Sequence, residues 1–194
     1  MIFYSALNEI LENVKETNNK VDEKTLSQLT TMIREVDHVF VMGMGRSGLV
    51  AKAFAMRLMH LGLGVYVVGE TITPAITDKD CLIAISGSGE TSYIISTTET
   101  AKERGAKIVA ITSYTDSPLA KKSDLVVQLK GRTKKESENN FIGRQMSGEH
   151  TTFSPLGTLF EITALIFLDS TIAQLMSDLE VTEDVLRDNH TVLE

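Results

Sequence analysis

HVFVMGMGRSG, residues 38–48, sets the reading of the fold. The first five residues are a short, nearly unbroken apolar run with β-branched character, which reads as a buried strand over His38–Met42. Glycines at 43, 45 and 48 then force a tight turn. Helical spacing of apolar residues follows over Ser47–Leu61. The same grammar returns downstream. Cys81–Ile85 (CLIAI) reads as a strand, Ser86–Thr91 (SGSGET) as a glycine- and hydroxyl-rich loop, and Thr91–Arg104 as a helix. Val65–Val68, Lys107–Ile111 and Leu125–Leu129 complete five strand-like runs, with a short helix near Pro118–Lys122. Apolar runs of this length, separated by helices, imply parallel strands covered on both faces. Right-handed crossovers then give an α/β fold with a doubly wound, five-stranded parallel sheet, for which the order 2-1-3-4-5 is expected.

The flanks are helical. Phe3, Leu7, Ile10, Leu11 and Val14 share one face, as do Leu26, Leu29, Ile33 and Val36. Asp22, after the polar hinge Thr17–Asp22, is placed to cap the second helix. At the other end, Ser154 and Pro155 suit the start of a long helix running to about Ser177. That helix is apolar almost all round, so it is buried, and part of its burial is expected against another subunit. It carries Glu161, Asp169 and several threonines, which argues for a core helix rather than a membrane span. A short helix over Thr182–Arg187 and a tail, His190–Glu194, close the chain. The 194 residues form one domain. Its parts are N-terminal helices (1–36), the sheet and its loops (37–130), an irregular segment (131–153), and C-terminal helices with the tail (154–194). The irregular segment reads either as a ligand-ordered loop or as a solvated insertion.

Net charge is −7. The one close basic cluster, Arg132–Lys135, runs into Glu136 and Glu138. This excludes a nucleic-acid partner, but not a small anion held by backbone N–H groups and a local arginine. A single cysteine, Cys81, sits in an apolar run. It reads as a buried thiol in a protein of the reducing cytoplasm. The N-terminal stretch carries acids and no cleavage pattern, so it is not read as a signal peptide.

The two loops carry the chemistry. Gly43–Gly48 matches G-x-G-x-x-G, and Glu70 follows the second strand where a dinucleotide enzyme places its ribose-binding acid. A nicotinamide enzyme, however, has no use for Ser86–Thr91 and needs a second domain. A phosphate monoester does need that loop. Ser86, Ser88 and Thr91 bring hydroxyls to a helix N-terminus, and Gly87 and Gly89 let the backbone approach an anion. With the order 2-1-3-4-5, strands one and three are neighbours where the order reverses. Their loops then flank one crevice.

The stretches VMGMGRSG, AMRLMHLG, VVGETITP, LIAISGSGET, PLGTLFE and ALIFLD resemble the SIS (sugar isomerase) family. They are most similar to its 6-phospho-3-hexuloisomerase branch, from about Val39 to the C-terminus. The resemblance implies reversible isomerisation of D-arabino-3-hexulose 6-phosphate to D-fructose 6-phosphate through a cis-enediol. That reaction belongs to the ribulose monophosphate route of formaldehyde fixation. The resemblance also implies no cofactor, no metal and a homotetramer. Glu161, in PLGTLFE, is then the base, and His190 in the C-terminal DNHTVLE serves a neighbouring subunit's site as proton shuttle. Gly45, Arg46, Ser47, Ser86, Gly87, Ser88, Gly89 and Thr91 become substrate-binding positions. His60 reads either as a second proton carrier or as a helix-end histidine. Glu70 and Thr71 read either as sugar ligands or as structural groups. A sugar-phosphate sensor without turnover, since SIS domains also occur in regulators, and another phosphosugar aldose–ketose isomerase are the competing readings.

Overall fold

A computed structural model describes residues 1–131 and 152–190. Most of the irregular segment, and the tail beyond His190, lie outside the described residues. Five strands, β1 (Val39–Gly43), β2 (Val65–Val67), β3 (Cys81–Ile85), β4 (Lys107–Thr112) and β5 (Leu125–Gln128), form one sheet in the order β2-β1-β3-β4-β5. All four pairings are parallel. The described helices are α1 (Ile2–Asn18), α2 (Glu23–Glu35), α3 (Arg46–His60), α4 (Ser92–Glu103), α5 (Pro118–Lys122), α6 (Thr158–Asp178) and α7 (Glu183–Asp188).

The central strand β3 is buried at all five positions, as a parallel strand covered on both faces must be. Its side chains alternate between two cores. Cys81, Ile83 and Ile85 join Phe54, Leu58, Phe160 and Phe167 on the side of α2, α3 and α6. Leu82 and Ala84 join Phe40, Met42, Ile94 and Leu119 on the side of α4 and α5. Each such large side chain contributes about 1.5–3 kcal/mol by leaving water. Burial pushes the Cys81 thiol up to about 12, so it is protonated and inert, as the apolar run suggested.

α6 is long and apolar enough to cross a membrane by length and composition, yet half of that stretch is buried inside the fold. It packs on α1 and α3. Asn13 of α1 donates to Thr163 Oγ1 at 2.9 Å. The helix begins later than expected, at Thr158 rather than Pro155. Gly157 has φ +89, a left-handed conformation that no helical residue adopts, and it separates the Ser154–Leu156 turn from the helix. The Ser154 hydroxyl therefore does not cap the helix and lies buried with no hydrogen-bond partner among the described residues. Asp22, by contrast, caps α2 as expected, accepting from the Thr25 N–H at 2.7 Å.

At the opposite end of the sheet from the loops, Asp80 is buried. Burial raises its pKa, but bonds from the Thr77 hydroxyl and N–H (2.7 Å each) and from His38 (3.0 Å) outweigh that and hold it below the usual value. This is a structural clasp under the strands.

Candidate active site

Gly43 pairs with Ile85 across β1 and β3, so the two glycine loops leave the sheet side by side and at one level. The strand order reverses between them. A cleft of about 250 Å³ opens there. Ser47 of α3 lies on one side, with Ser86, Gly87, Ser88 and Thr91 on another. Leu156, Gly157, Phe160 and Glu161 come from the start of α6, and Met44 adds an exposed rim.

The glycines divide the work. A Cβ on Gly43 would sit 2.5 Å from the Ser47 carbonyl oxygen, and one on Gly48 2.9 Å from the Gly43 oxygen. Both let strand and helix meet in a tight turn. Gly45 has φ +58 and open space around it at the first turn of α3. Gly89 does not line the cleft. It lies behind the loop, packed on Ser117, and shapes it from there.

Three helices begin at the cleft: α3 at Gly45, α4 at Thr91 and α6 at Gly157. None has a side-chain cap. Among the helices that begin elsewhere, α2 and α5 are capped by Asp22 and Ser117, while α1 and α7, like the cleft helices, have no side-chain cap. Uncapped N-termini leave N–H donors and positive dipole ends facing the cleft, which is the electrostatics a phosphate needs. The loop conformation adds to this. The Ser86 carbonyl accepts from the Gly89 N–H at 3.1 Å, and the Gly87 carbonyl accepts from the Ser113 N–H at 3.1 Å. Both carbonyls are thereby turned away. The N–H groups of Gly87 and Ser88, on the opposite sides of those peptides, have no acceptor among the described residues.

Glu161 stands in the first turn of α6 with a mostly buried side chain, 14% exposed, and pairs with the Arg46 guanidinium. The positive helix end and the arginine both face the carboxylate. Arg46 thus neutralises the carboxylate rather than lining the cleft directly. Beyond the pair lies an apolar hollow of about 210 Å³, edged by Leu49, Val50, Ala53, Ile162 and Leu165.

The remaining candidates are elsewhere. Glu70 pairs with Lys52 at 2.6 Å, and Thr71 is exposed; neither lines the cleft. His60 ends α3, while Arg46 begins it, some 14 residues or about 21 Å along the axis. His190 packs beside His60, ring centroids 4.9 Å apart, and Asn189 donates to the His60 carbonyl at 3.0 Å. Within one chain, His190 is therefore at the far end of α3 from Glu161.

Burial holds His60 below its ordinary 6.5, and the neighbouring His190 and Arg57 add repulsion. The folded value lies below the unfolded one, so the unfolded chain binds more protons between the two. Stability is full above 6.5 and declines as pH falls below it. The melting temperature is expected to drop between pH 7.5 and 5.5, and the drop to be smaller in His60→Gln. Equal slopes in the two proteins would take His60 out of this role.

Residues 32–177 match the family model for the SIS domain. A protein from Archaeoglobus fulgidus, named only as uncharacterized, is 46% identical over 97% of this chain and 98% of its own. The 3-hexulose-6-phosphate isomerase of Mycobacterium gastri is 39% identical, over 97% of this chain and 89% of that one. A crystal structure from Methanococcus jannaschii, for which a 3-hexulose-6-phosphate isomerase function was inferred, superposes with a TM-score of 0.81. It is 34% identical and covers 97% of this chain and 98% of its own. The chain belongs to the SIS domain family. Its full-length relatives within that family include proteins named 3-hexulose-6-phosphate isomerase.

Residue chemistry alone did not single out Met44, Leu156, Gly157 and Phe160 as cleft residues. They are apolar or glycine and carry no chemical signature. Gly157 had one signal, its place four residues before Glu161.

Proposed function

We propose that this protein interconverts D-arabino-3-hexulose 6-phosphate and D-fructose 6-phosphate. What carries the reading is one cleft with a carboxylate, Glu161, on one side and two glycine–hydroxyl loops at helix ends without N-cap side-chain bonds on another. The relatives named as hexulose-phosphate isomerases supply the choice of sugar. The loops take the phosphate, with Ser86, Ser88 and Thr91 as hydroxyl donors. Glu161 removes the proton from C2 of the 3-ketose, leaving a cis-enediol, and returns it to C3. The O2 proton passes to O3, and the carbonyl ends on C2. General base catalysis of this kind contributes about 10²–10⁴-fold.

Oligomerisation belongs to the same reading. Leu49, Met56 and Met59 on α3, Ile166 on α6, and Phe3, Leu7 and Leu11 on α1 are exposed apolar side chains. A tetramer would cover such faces and bring a neighbour's His190 toward Glu161, a distance one chain does not span. The setting is cytoplasmic, and the pathway is formaldehyde fixation through ribulose monophosphate, or its reverse.

The test is a coupled assay for fructose 6-phosphate, with the 3-hexulose phosphate as substrate and no added cofactor. Turnover is expected. Tight binding of hexose phosphates without turnover would replace the enzyme with a sensor.

A further inference from the structure

Gly157 is surrounded in a distinctive way. A Cβ built there would meet Glu161 Oε1 at 3.1 Å, Cδ at 3.4 Å and Oε2 at 3.5 Å. Its three nearest neighbours are all atoms of the carboxyl group that the isomerase reading makes the base. The backbone adds a second constraint, since φ is +89, where a side chain is strained in any case. Gly157 also opens α6, and its carbonyl accepts from the Glu161 N–H at 3.0 Å, so the two residues are locked one turn apart. The carboxylate lies between the Arg46 guanidinium and the bare face of Gly157. Arg46 pulls it and Gly157 makes room for it. Both Gly157 and Glu161 line the cleft.

From this packing we infer that Gly157 is a positioning residue, which sets where the Glu161 carboxylate stands by leaving the space beside it unoccupied. The inference rests on the isomerase reading for its effect on turnover, and on packing alone for its effect on the carboxylate. A side chain at 157 displaces the carboxylate from its place beside Arg46. Proton transfer from carbon is sensitive to sub-ångström placement, so turnover falls while the phosphate loops, built from other elements, keep their affinity.

Gly157→Asn is the variant to make first, because asparagine tolerates a left-handed backbone but still carries a Cβ. Its kcat is expected to fall 10-fold or more, with KM for the hexulose phosphate and Kd for fructose 6-phosphate within threefold. Gly157→Ala should behave alike where it folds. Glu161→Asp, one methylene shorter, draws the carboxyl back from residue 157. The Gly157→Asn/Glu161→Asp double variant is therefore expected to lose at least fivefold less than the product of the two single losses. An unchanged kcat in Gly157→Asn overturns the inference, and so do strictly multiplicative losses. If the wild type has no turnover, the isomerase reading fails separately. The crystal structure of Gly157→Asn then decides, because a Glu161 carboxylate unmoved beside Arg46 overturns the positioning role in either case.

Discussion

Glu161→Gln is expected to lower kcat by about 10² or more while KM stays within a few-fold. The amide matches the carboxylate in shape, so the cleft keeps its volume and its phosphate loops. Its carbonyl oxygen still accepts a hydrogen bond from Arg46. What disappears is the lone pair basic enough to take a proton from carbon. The fold should barely notice. Arg46 is more than half exposed, and an ion pair open to solvent on one side contributes only about 0–1 kcal/mol. The melting temperature should therefore shift by no more than a few degrees. A coupled assay beside a thermal melt separates the two effects. Turnover within fivefold of wild type removes Glu161 from the base role, and a large loss of melting temperature marks the residue as structural instead.

The contrast between Glu161 and His190 shows what the sequence could and could not say. β1 and β3 were legible because short buried strands have a local signature, while right-handed chain chirality narrows the strand order without fixing it, and the sheet itself shows 2-1-3-4-5. Each loop was legible because glycines and hydroxyls crowd a strand end. That the two loops leave the sheet at one level depends on register, Gly43 opposite Ile85, which only the assembled sheet supplies. Arg46 looked like a phosphate ligand because it sits in the first loop. Its partner is 115 residues away, and no local pattern announces that pairing. The start of α6 was misplaced for a related reason. Ser-Pro is a good helix opening, but the left-handed Gly157 overrides it. Gly89 was grouped with the phosphate ligands by its motif, although its packing is set by Ser117 on another loop.

Gly89→Ala is accordingly the second change with a large expected effect. An added Cβ would lie 2.2 Å from Ser117 Oγ, 2.5 Å from Ser117 Cβ and 3.1 Å from Thr112 Oγ1. Ser117 has little freedom to retreat. It is buried, and its hydroxyl caps α5 by accepting from the Ala120 N–H at 3.2 Å. Gly89 is itself tied to α5, since its carbonyl accepts from the Leu119 N–H at 3.1 Å. Relief must then come from the loop, which shifts Ser88 and Thr91 toward the cleft and spoils the N–H geometry an anion needs. Overpacking costs about 1–3 kcal/mol, and a left-handed alanine about 1–2 kcal/mol more. Affinity for fructose 6-phosphate, read by calorimetry, is expected to fall 10-fold or more. Ser117→Gly should rescue it, because it removes both offending atoms and exchanges a serine cap for glycine at a few tenths of a kcal/mol. Recovery of binding in the Gly89→Ala/Ser117→Gly protein assigns the loss to this one contact. Undiminished affinity in Gly89→Ala itself means that the phosphate is held somewhere other than Ser86–Thr91.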